Sequence, residues 1–323
     1  MRSFACICVL TTHAPIPGGS NGLNFIGFFN YYATCGASIL FFMISGALIL
    51  YKPKPAIPFI KRRLSRIVCP MFFWTIISLL VAVIHGEMSL GEMAVKIAKI
   101  PLAPQESTYW FIYAIFGIYL FTPIVASWLN KAGRRELEFY LCVWAITLLL
   151  PYIAPHSHAC DGIIDFAHGP LYYFYGFLWF AVMGYYLRKY VNLHTLKRWH
   201  AGIAVLVLAL PVGLYLSPMG HDIIHDRMTL HAAFTCCVYF VILKHAHYSE
   251  RWKRYFYDFA QHSFGIYLIH ILVMRGVLWP LFEPYHIHYA LQIPLIVVLT
   301  ALISYGMVHL ISKLPFSNYI VGL

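Results

Sequence analysis

The segment Phe59–Pro70 reads Phe-Ile-Lys-Arg-Arg-Leu-Ser-Arg-Ile-Val-Cys-Pro and lies between two long apolar runs of the chain. Four basic residues fall within six positions of it, at Lys61, Arg62, Arg63 and Arg66. Lysine and arginine accumulate at the cytoplasmic ends of membrane helices, where they contact anionic lipid headgroups. The segment therefore predicts a membrane protein with lipid partners, in which this stretch faces the cytoplasm.

The composition indicates a polytopic helical membrane protein. Of its 323 residues, 61% are hydrophobic and 11% are charged, which excludes an ordinary soluble domain. The apolar runs are too long and too continuous for barrel strands, whose hydrophobicity alternates over shorter segments. We predict an all-α transmembrane bundle forming a single domain over 1–323. Its ten predicted spans are 1–14, 26–50, 68–85, 109–129, 137–153, 170–187, 200–216, 228–243, 264–281 and 291–312.

The placement of charge predicts the orientation of the chain. With the N-terminus inside, 19 of the 23 Lys and Arg residues fall in cytoplasmic segments. The positive-inside rule then places both termini in the cytoplasm, and an even number of spans agrees. Because the net charge of +11 follows the topology, it does not indicate a nucleic-acid partner.

The first span contains a histidine, His13, close to its predicted outer end. An ionisable residue inside a membrane span is costly and is a functional candidate, whereas the alternative is a hydrogen bond to a neighbouring helix. Arg2 lies eleven residues earlier, so in a helix the two side chains share one face about 16 Å apart. That face would carry a cytoplasmic cation and a buried imidazole.

Two arginines of the basic segment suit a phosphate ligand. If the segment is helical, Arg63 and Arg66 stand three residues apart and project from nearly the same face. Each guanidinium group can donate paired hydrogen bonds to phosphate oxygens. The alternative is that they only set topology and bind lipid headgroups. In the preceding span, Ser45 and Gly46 are small enough to admit another helix or a slim ligand.

The ordered set of motifs resembles the acyltransferase-3 family of integral membrane acyltransferases. The matching features are Arg2 with His13, Phe41-Phe42 with Ser45-Gly46-x-Leu48, Phe59-x3-Arg63-x2-Arg66-x3-Pro70, Tyr109-Trp110-Phe111-Ile112-Tyr113, and Ser263-Phe264-Gly265-Ile266-Tyr267-Leu268-x-His270. The resemblance covers nearly the whole chain. Proteins of this family, mostly bacterial, typically acetylate hydroxyl groups of cell-surface carbohydrates.

The resemblance implies a donor, an acceptor and a location. The donor substrate would be cytoplasmic acetyl-CoA or another acyl-CoA, with no permanently bound cofactor and no metal. Arg63 and Arg66 would bind its phosphates, with Arg2 nearby, while Ser45 and Gly46 would line the path of the pantetheine arm. The acceptor would be an extracytoplasmic or lipid-linked carbohydrate, and the protein would reside in the cytoplasmic (inner) membrane of a bacterium.

The resemblance makes His13 and Arg2 the predicted catalytic residues, with His13 at the thioester as general base. It would accept the proton of the acceptor hydroxyl and could return one to the departing thiolate. An acetyl-histidine intermediate is the competing mechanism. Four further candidates each have an alternative explanation: His270 by helix packing, Arg275 by reaching toward the outer interface, and Tyr109 and Trp110 by the interfacial aromatic belt.

Two other functions compete with the enzyme, and one of them, a structural or sensory membrane protein, would explain the bundle but not the ordered motifs. A transporter or flippase of a lipid-linked glycan would have inverted repeats and broken helices near the midplane, and the sequence has neither. A zinc site is conceivable at His221 and His225, which have i, i+4 spacing, but they form no established ligand motif. We therefore predict an O-acyltransferase without a metal.

Overall fold

A computed structural model describes residues 1–15, 30–153, 171, 174–192, 196–215, 226–285 and 287–322. All regular secondary structure within these ranges is helical. The long helices are α2 (Asn30–Ile49), α3 (Ala56–Ile84), α5 (Ser107–Lys131), α11 (Glu250–Tyr285) and α12 (Tyr289–Ser312). The shorter ones are α1 (Arg2–His13), α4 (Leu90–Lys99), α6 (Arg134–Thr147), α7 (Leu150–Ile153), α8 (Leu178–Tyr190), α9 (Arg198–Tyr215), α10 (Leu230–His245) and α13 (Ser317–Ile320).

Five of these helices are long and apolar enough to cross a membrane. They coincide with the predicted spans 26–50, 68–85, 109–129, 264–281 and 291–312. The helices α9 and α10 have only 18 and 16 residues, against the roughly 20 that a full crossing needs. The all-α, multi-pass fold is thus confirmed, whereas the count of ten spans and the cytoplasmic location of both termini stay predictions.

The chain divides into two compact units. Unit 1 comprises Met1, Asn21–Lys54 and Thr122–His247, and unit 2 comprises Arg2–Ser20, Pro55–Phe121 and Tyr248–Leu323. All candidate site residues except Ser45 and Gly46 belong to unit 2. The expectation of a single domain over 1–323 stays a prediction.

In unit 1, α2 and α8 approach each other until their backbones touch. A Cβ atom built on Gly46 would overlap the backbone carbonyl of Ala181, and one built on Gly184 would overlap that of Met43. Such contacts require residues without side chains, as is common where membrane helices pack. Gly46 therefore has a packing role, and its predicted place beside a pantetheine arm is not needed to explain it. Ser45, the preceding residue, is half-buried.

In unit 2, α1 runs parallel to α11. The Ser3 hydroxyl donates to the Phe256 carbonyl at 2.7 Å, and the Cys6 thiol donates to the Ser263 carbonyl at 3.8 Å. Successive contacts thus advance along both helices in the same direction. The helix α12 packs against both of them, so the three helices form the interior that holds His13.

The basic segment lies in the first part of α3, which begins at Ala56, well before the predicted span 68–85. The helix contains a π-helical turn at Leu64–Val68. A π-turn bonds i to i+5 and rotates less per residue than an α-helix. Arg63 and Arg66 are consequently spread more widely around the helix than predicted, because that prediction assumed an α-helical turn.

The segment 86–108, which connects two predicted spans, contains the amphipathic helix α4. Ser89 caps its N-terminus, accepting a hydrogen bond from the Glu92 backbone while the Glu92 side chain accepts one from the Ser89 backbone. The hydrogen bonds donated by the Ser89 backbone and hydroxyl lower the pKa of the Glu92 carboxyl below its usual range. This Ser-x-x-Glu capping box is legible in the sequence.

Candidate active site

Two histidines from distant parts of the chain meet inside unit 2. His13 is the last residue of α1 and is half-buried, whereas His270 on α11 is completely buried. Their ring centroids are 5.3 Å apart and the rings are inclined by 43°. The parallel packing of α1 on α11 produces this contact, which we call the histidine pair.

Hydrogen bonding fixes the protonation of His270 when its ring is neutral. Its Nδ1 lies 2.5 Å from the backbone carbonyl oxygen of Tyr267, and a carbonyl can only accept. Nδ1 therefore carries the hydrogen, and Nε2 carries a lone pair. This Nε2 is buried and has no hydrogen-bond partner among the described residues. The histidine pair thus contains an oriented nitrogen lone pair within the protein interior that has no partner among the described residues.

Hydrogen bonds from two tyrosines connect the start of α5 to α11, next to the histidine pair. The Tyr109 hydroxyl donates to the Leu268 carbonyl at 2.6 Å, and the Tyr267 hydroxyl donates in return to the Thr108 carbonyl. Tyr109 is only 3% exposed, so it belongs to the interior and not to an interfacial belt. The Thr108 hydroxyl is also buried and has no partner within the described chain.

The Arg63 guanidinium is held by aromatic rings of unit 2. Its Cζ lies 5.0 Å from the ring centroid of Tyr119 and 5.4 Å from that of Phe59. Its Nε is buried and lacks a hydrogen-bond partner among the described residues. The two ring contacts hold the guanidinium in place, and the N–H groups of a guanidinium can donate hydrogen bonds to an anion. Arg66 is exposed.

Three other candidates are exposed or half-buried, unlike His270. Arg2 is exposed at the opposite end of α1, about 16 Å along the helix from His13. Arg275 is exposed in the π-helical turn Met274–Leu278, as expected for a side chain that reaches toward the interface. Trp110 is half-buried.

Comparison with known protein families identifies the chain. A family model described as an acyltransferase domain matches residues 1–309. The chain belongs to the acyltransferase-3 family. No curated protein and no solved structure matches it.

Membership confirms the resemblance that the motifs predicted. This acyltransferase-3 protein is a multi-pass membrane acyltransferase, and transport of a glycan loses its support. The matched residues include every candidate site residue, from Arg2 to Arg275. His221 and His225 lie outside the described residues, so the structure gives no geometry for the zinc alternative.

Sequence reasoning missed the part played by Tyr267. This tyrosine belongs to the motif Ser263–His270 and was not predicted as a site residue. Its carbonyl accepts a hydrogen bond from His270, three residues later, and its hydroxyl donates one to the Thr108 carbonyl. The signal was the i, i+3 spacing, which lets a helical histidine donate back to a carbonyl one turn earlier. Tyr267 positions His270 and, through Thr108, the start of α5.

The C-terminal segment of this acyltransferase supports the arginine-bearing part of α3. The Trp74 indole donates to the Ile320 carbonyl at 2.8 Å. Gly322 has a φ of +75°, and a Cβ added there would overlap the backbone carbonyl of Arg66 and come within 3.0 Å of the Phe264 ring. Gly322 thus packs directly against the π-helical turn Leu64–Val68, which contains Arg66, and this position has no room for a side chain.

Replacing this glycine tests the contact with α3. We expect Gly322→Ala to destabilise the protein by about 2–4 kcal/mol, from a left-handed backbone plus steric overlap. The matched control is Gly86→Ala, where φ is also +75° but no neighbour lies within 4 Å; we expect it to cost only about 1–2 kcal/mol. Thermal unfolding in detergent measures both, and equal losses would show that Gly322 does not support α3.

Proposed function

We propose that this acyltransferase-3 protein transfers an acetyl group, or another short acyl group, from cytoplasmic acyl-CoA to a hydroxyl of an extracytoplasmic or lipid-linked carbohydrate. It would act in the cytoplasmic membrane of a bacterium. The observation that carries the proposal is the histidine pair, which places two imidazoles in contact in the interior of unit 2. Acyl transfer to a hydroxyl needs a base of this kind.

His13 is the general base of the proposed reaction. It ends α1 and is half-buried, so a substrate can reach it, whereas His270 is enclosed. An imidazole is the side chain that most often serves as a general base, because it exchanges protons near neutral pH. His270 would position His13 through the contact between their rings. The Thr108 hydroxyl, also without a partner among the described residues, is a further group that a substrate could meet.

Arg63 is the proposed contact to the donor's phosphates. Its guanidinium is oriented by two rings and retains a buried Nε with no partner in the described ranges. A cation held in this way loses less conformational freedom on binding an anion than a mobile one. Arg66 adds an exposed second cation, and Arg2 is the proposed third. Ser45 and Gly46 stay predictions as groups along the acyl arm.

Binding of acetyl-CoA to the purified, detergent-solubilised protein tests the donor. We expect saturable binding that Arg63→Ala weakens by about tenfold or more, because a charge-assisted contact to phosphate is worth roughly 1.5–3 kcal/mol. Arg66→Ala should have a smaller effect because its side chain is exposed. Acetyl-CoA lacking its 3′-phosphate should also bind more weakly if that group is the one contacted.

Arg135→Ala is the matched control, since Arg135 is an exposed arginine of another predicted cytoplasmic segment. It should leave acetyl-CoA binding unchanged. A folded wild-type protein that binds no acetyl-CoA would contradict the proposed donor, and the basic segment would then serve topology alone. Equal weakening by Arg135→Ala and Arg63→Ala would indicate general charge attraction instead of a site.

A further inference from the structure

A row of polar side chains lies along the interface of α11 and α12, apart from the histidine pair and the arginines. We call it the polar file. It consists of Thr300, Ser304, His262, Tyr305, His309 and Asp258. Ionisable residues inside membrane helices are costly and usually serve a function.

The lower end of the file is a cluster of four titratable side chains. The His262 Nδ1 donates to the Asp258 backbone carbonyl at 2.8 Å, and the Tyr305 hydroxyl donates to the Asp258 carboxylate. The His262 ring centroid lies 5.2 Å from that of Tyr305 and 5.5 Å from that of His309. His262 is 6% exposed, whereas the Asp258 side chain is 44% exposed. The cluster therefore leads from the interior to the surface.

The upper part of the file consists of two hydroxyl groups. Thr300 and Ser304 are completely buried on the face of α12 that packs against α11 and α1, and their hydroxyls lack partners among the described residues. Other helical hydroxyls here bond back to the carbonyl four residues earlier, as those of Thr11, Thr12 and Thr75 do. Thr300 and Ser304 do not, so they remain able to bond into the interface.

The file ends near the histidine pair. The ring contacts show that His262 of α11 lies beside Tyr305 and His309 of α12. Because α12 follows α11 after a short connection, the two helices are antiparallel. In this antiparallel register, Thr300 of α12 lies at about the same position along the helix axes as His270 of α11. The eight residues from His262 to His270 rise about 12 Å, and Ser304 and Thr300 stand on the facing helix along this rise. His270 Nε2 and His309 Nδ1 also lack partners within the described chain, and buried water binds such atoms.

We propose that the polar file conducts protons between the histidine pair and the end of α11 marked by Asp258. The inference rests on the proposed acyl transfer, in which the hydroxyl O–H and thioester C–S bonds break while the ester C–O and thiol S–H bonds form. His13 takes the hydroxyl proton, and coenzyme A leaves as a thiolate toward the predicted cytoplasmic side. The file returns the proton to that side, where the thiolate is protonated, so no proton is gained or lost.

The residue types suit this task. Imidazole exchanges protons near neutral pH, and the Ser, Thr and Tyr hydroxyls both donate and accept hydrogen bonds. Arg2, at the start of α1, lies at about the same position along the helix axes as Asp258 of α11, because its neighbour Ser3 contacts Phe256. A purely structural role, in which polar groups join helices, accounts for the bonds around Asp258. It does not account for the hydroxyls of Thr300 and Ser304.

The test compares wild type with His262→Ala and with the double variant Thr300→Val/Ser304→Ala. Inverted membrane vesicles receive acetyl-CoA labelled in the acetyl group, and base-labile carbohydrate label is measured. We expect about tenfold slower transfer in each variant, with acetyl-CoA binding unchanged.

Small buffers such as imidazole and its methylated derivatives should restore the transfer rate of His262→Ala, in an order set by the pKa values of the buffers. A buffer molecule that only filled the cavity left by the histidine would not produce that order. The control His247→Ala changes an exposed histidine and should transfer at the wild-type rate.

Rates of both variants within twofold of wild type would overturn the inference and leave the proposed function intact. The inference also fails if transfer is slow but insensitive to buffer in variants that bind acetyl-CoA and unfold at the wild-type temperature. A wild-type protein that labels no carbohydrate would instead overturn the proposed function, and the role of the file with it.

Discussion

His13→Ala should abolish measurable acyl transfer while leaving the protein folded and able to bind acetyl-CoA. Removing a general base typically lowers a rate by about 100- to 10,000-fold. His13 is the half-buried member of the histidine pair, so its loss removes the imidazole that a substrate can reach. The measurement is the initial rate of label transfer from acetyl-CoA to carbohydrate in inverted vesicles, at equal protein amounts.

Two comparisons separate chemistry from packing. His85→Ala removes an exposed histidine at the end of α3 and should transfer at the wild-type rate. Tyr267→Phe keeps the carbonyl that orients His270 and should lower the rate far less than His13→Ala. If His13→Ala retains more than about a third of the wild-type rate, His13 does not act as the base.

Gly184→Ala should prevent α2 and α8 from packing and leave little folded protein. The added methyl group would overlap the Met43 carbonyl, which belongs to the backbone and cannot rotate away. Overpacking at side chains costs about 1–3 kcal/mol, and a backbone obstacle should cost at least that upper value. Gly46→Ala meets the Ala181 carbonyl in the same way and should behave alike. Folded yield after detergent extraction and thermal unfolding report the loss.

The matched control is Gly202→Ala in α9, where an added Cβ would find nothing within 4 Å. That change should be neutral or slightly stabilising, because alanine favours a helix over glycine by about 1 kcal/mol. Wild-type stability of Gly184→Ala would mean that α2 and α8 lie farther apart in the membrane than in this structure.

The membrane architecture was largely predictable, since long apolar runs need no knowledge of tertiary contacts. The beginning of α3 was not, because the basic residues Lys61–Arg63 separate its apolar first turn from the long apolar run that follows. The π-helical turn at Leu64–Val68 was equally hidden. A single π-helical turn beside a continuous apolar run cannot be located from the hydrophobic pattern. It changes the relative directions of the Arg63 and Arg66 side chains.

The site was predictable as residues and not as contacts. His13 and His270 were each predicted as candidates, but their meeting depends on the parallel packing of α1 on α11, two helices from opposite ends of the chain. The polar file was unpredictable for a different reason. His262 contacts Asp258 within α11 itself, but only the packing of α12 on α11 brings Tyr305 to both residues.

The most direct test of the proposed acyl transfer offers labelled acetyl-CoA, which does not cross membranes, to vesicles of both orientations that contain the wild-type protein. We predict base-labile label on carbohydrate in inverted vesicles, little in right-side-out vesicles, and none above background with His13→Ala in either. The proposal would be contradicted if the wild-type protein binds acetyl-CoA but, in inverted vesicles, transfers no more label to carbohydrate than His13→Ala does.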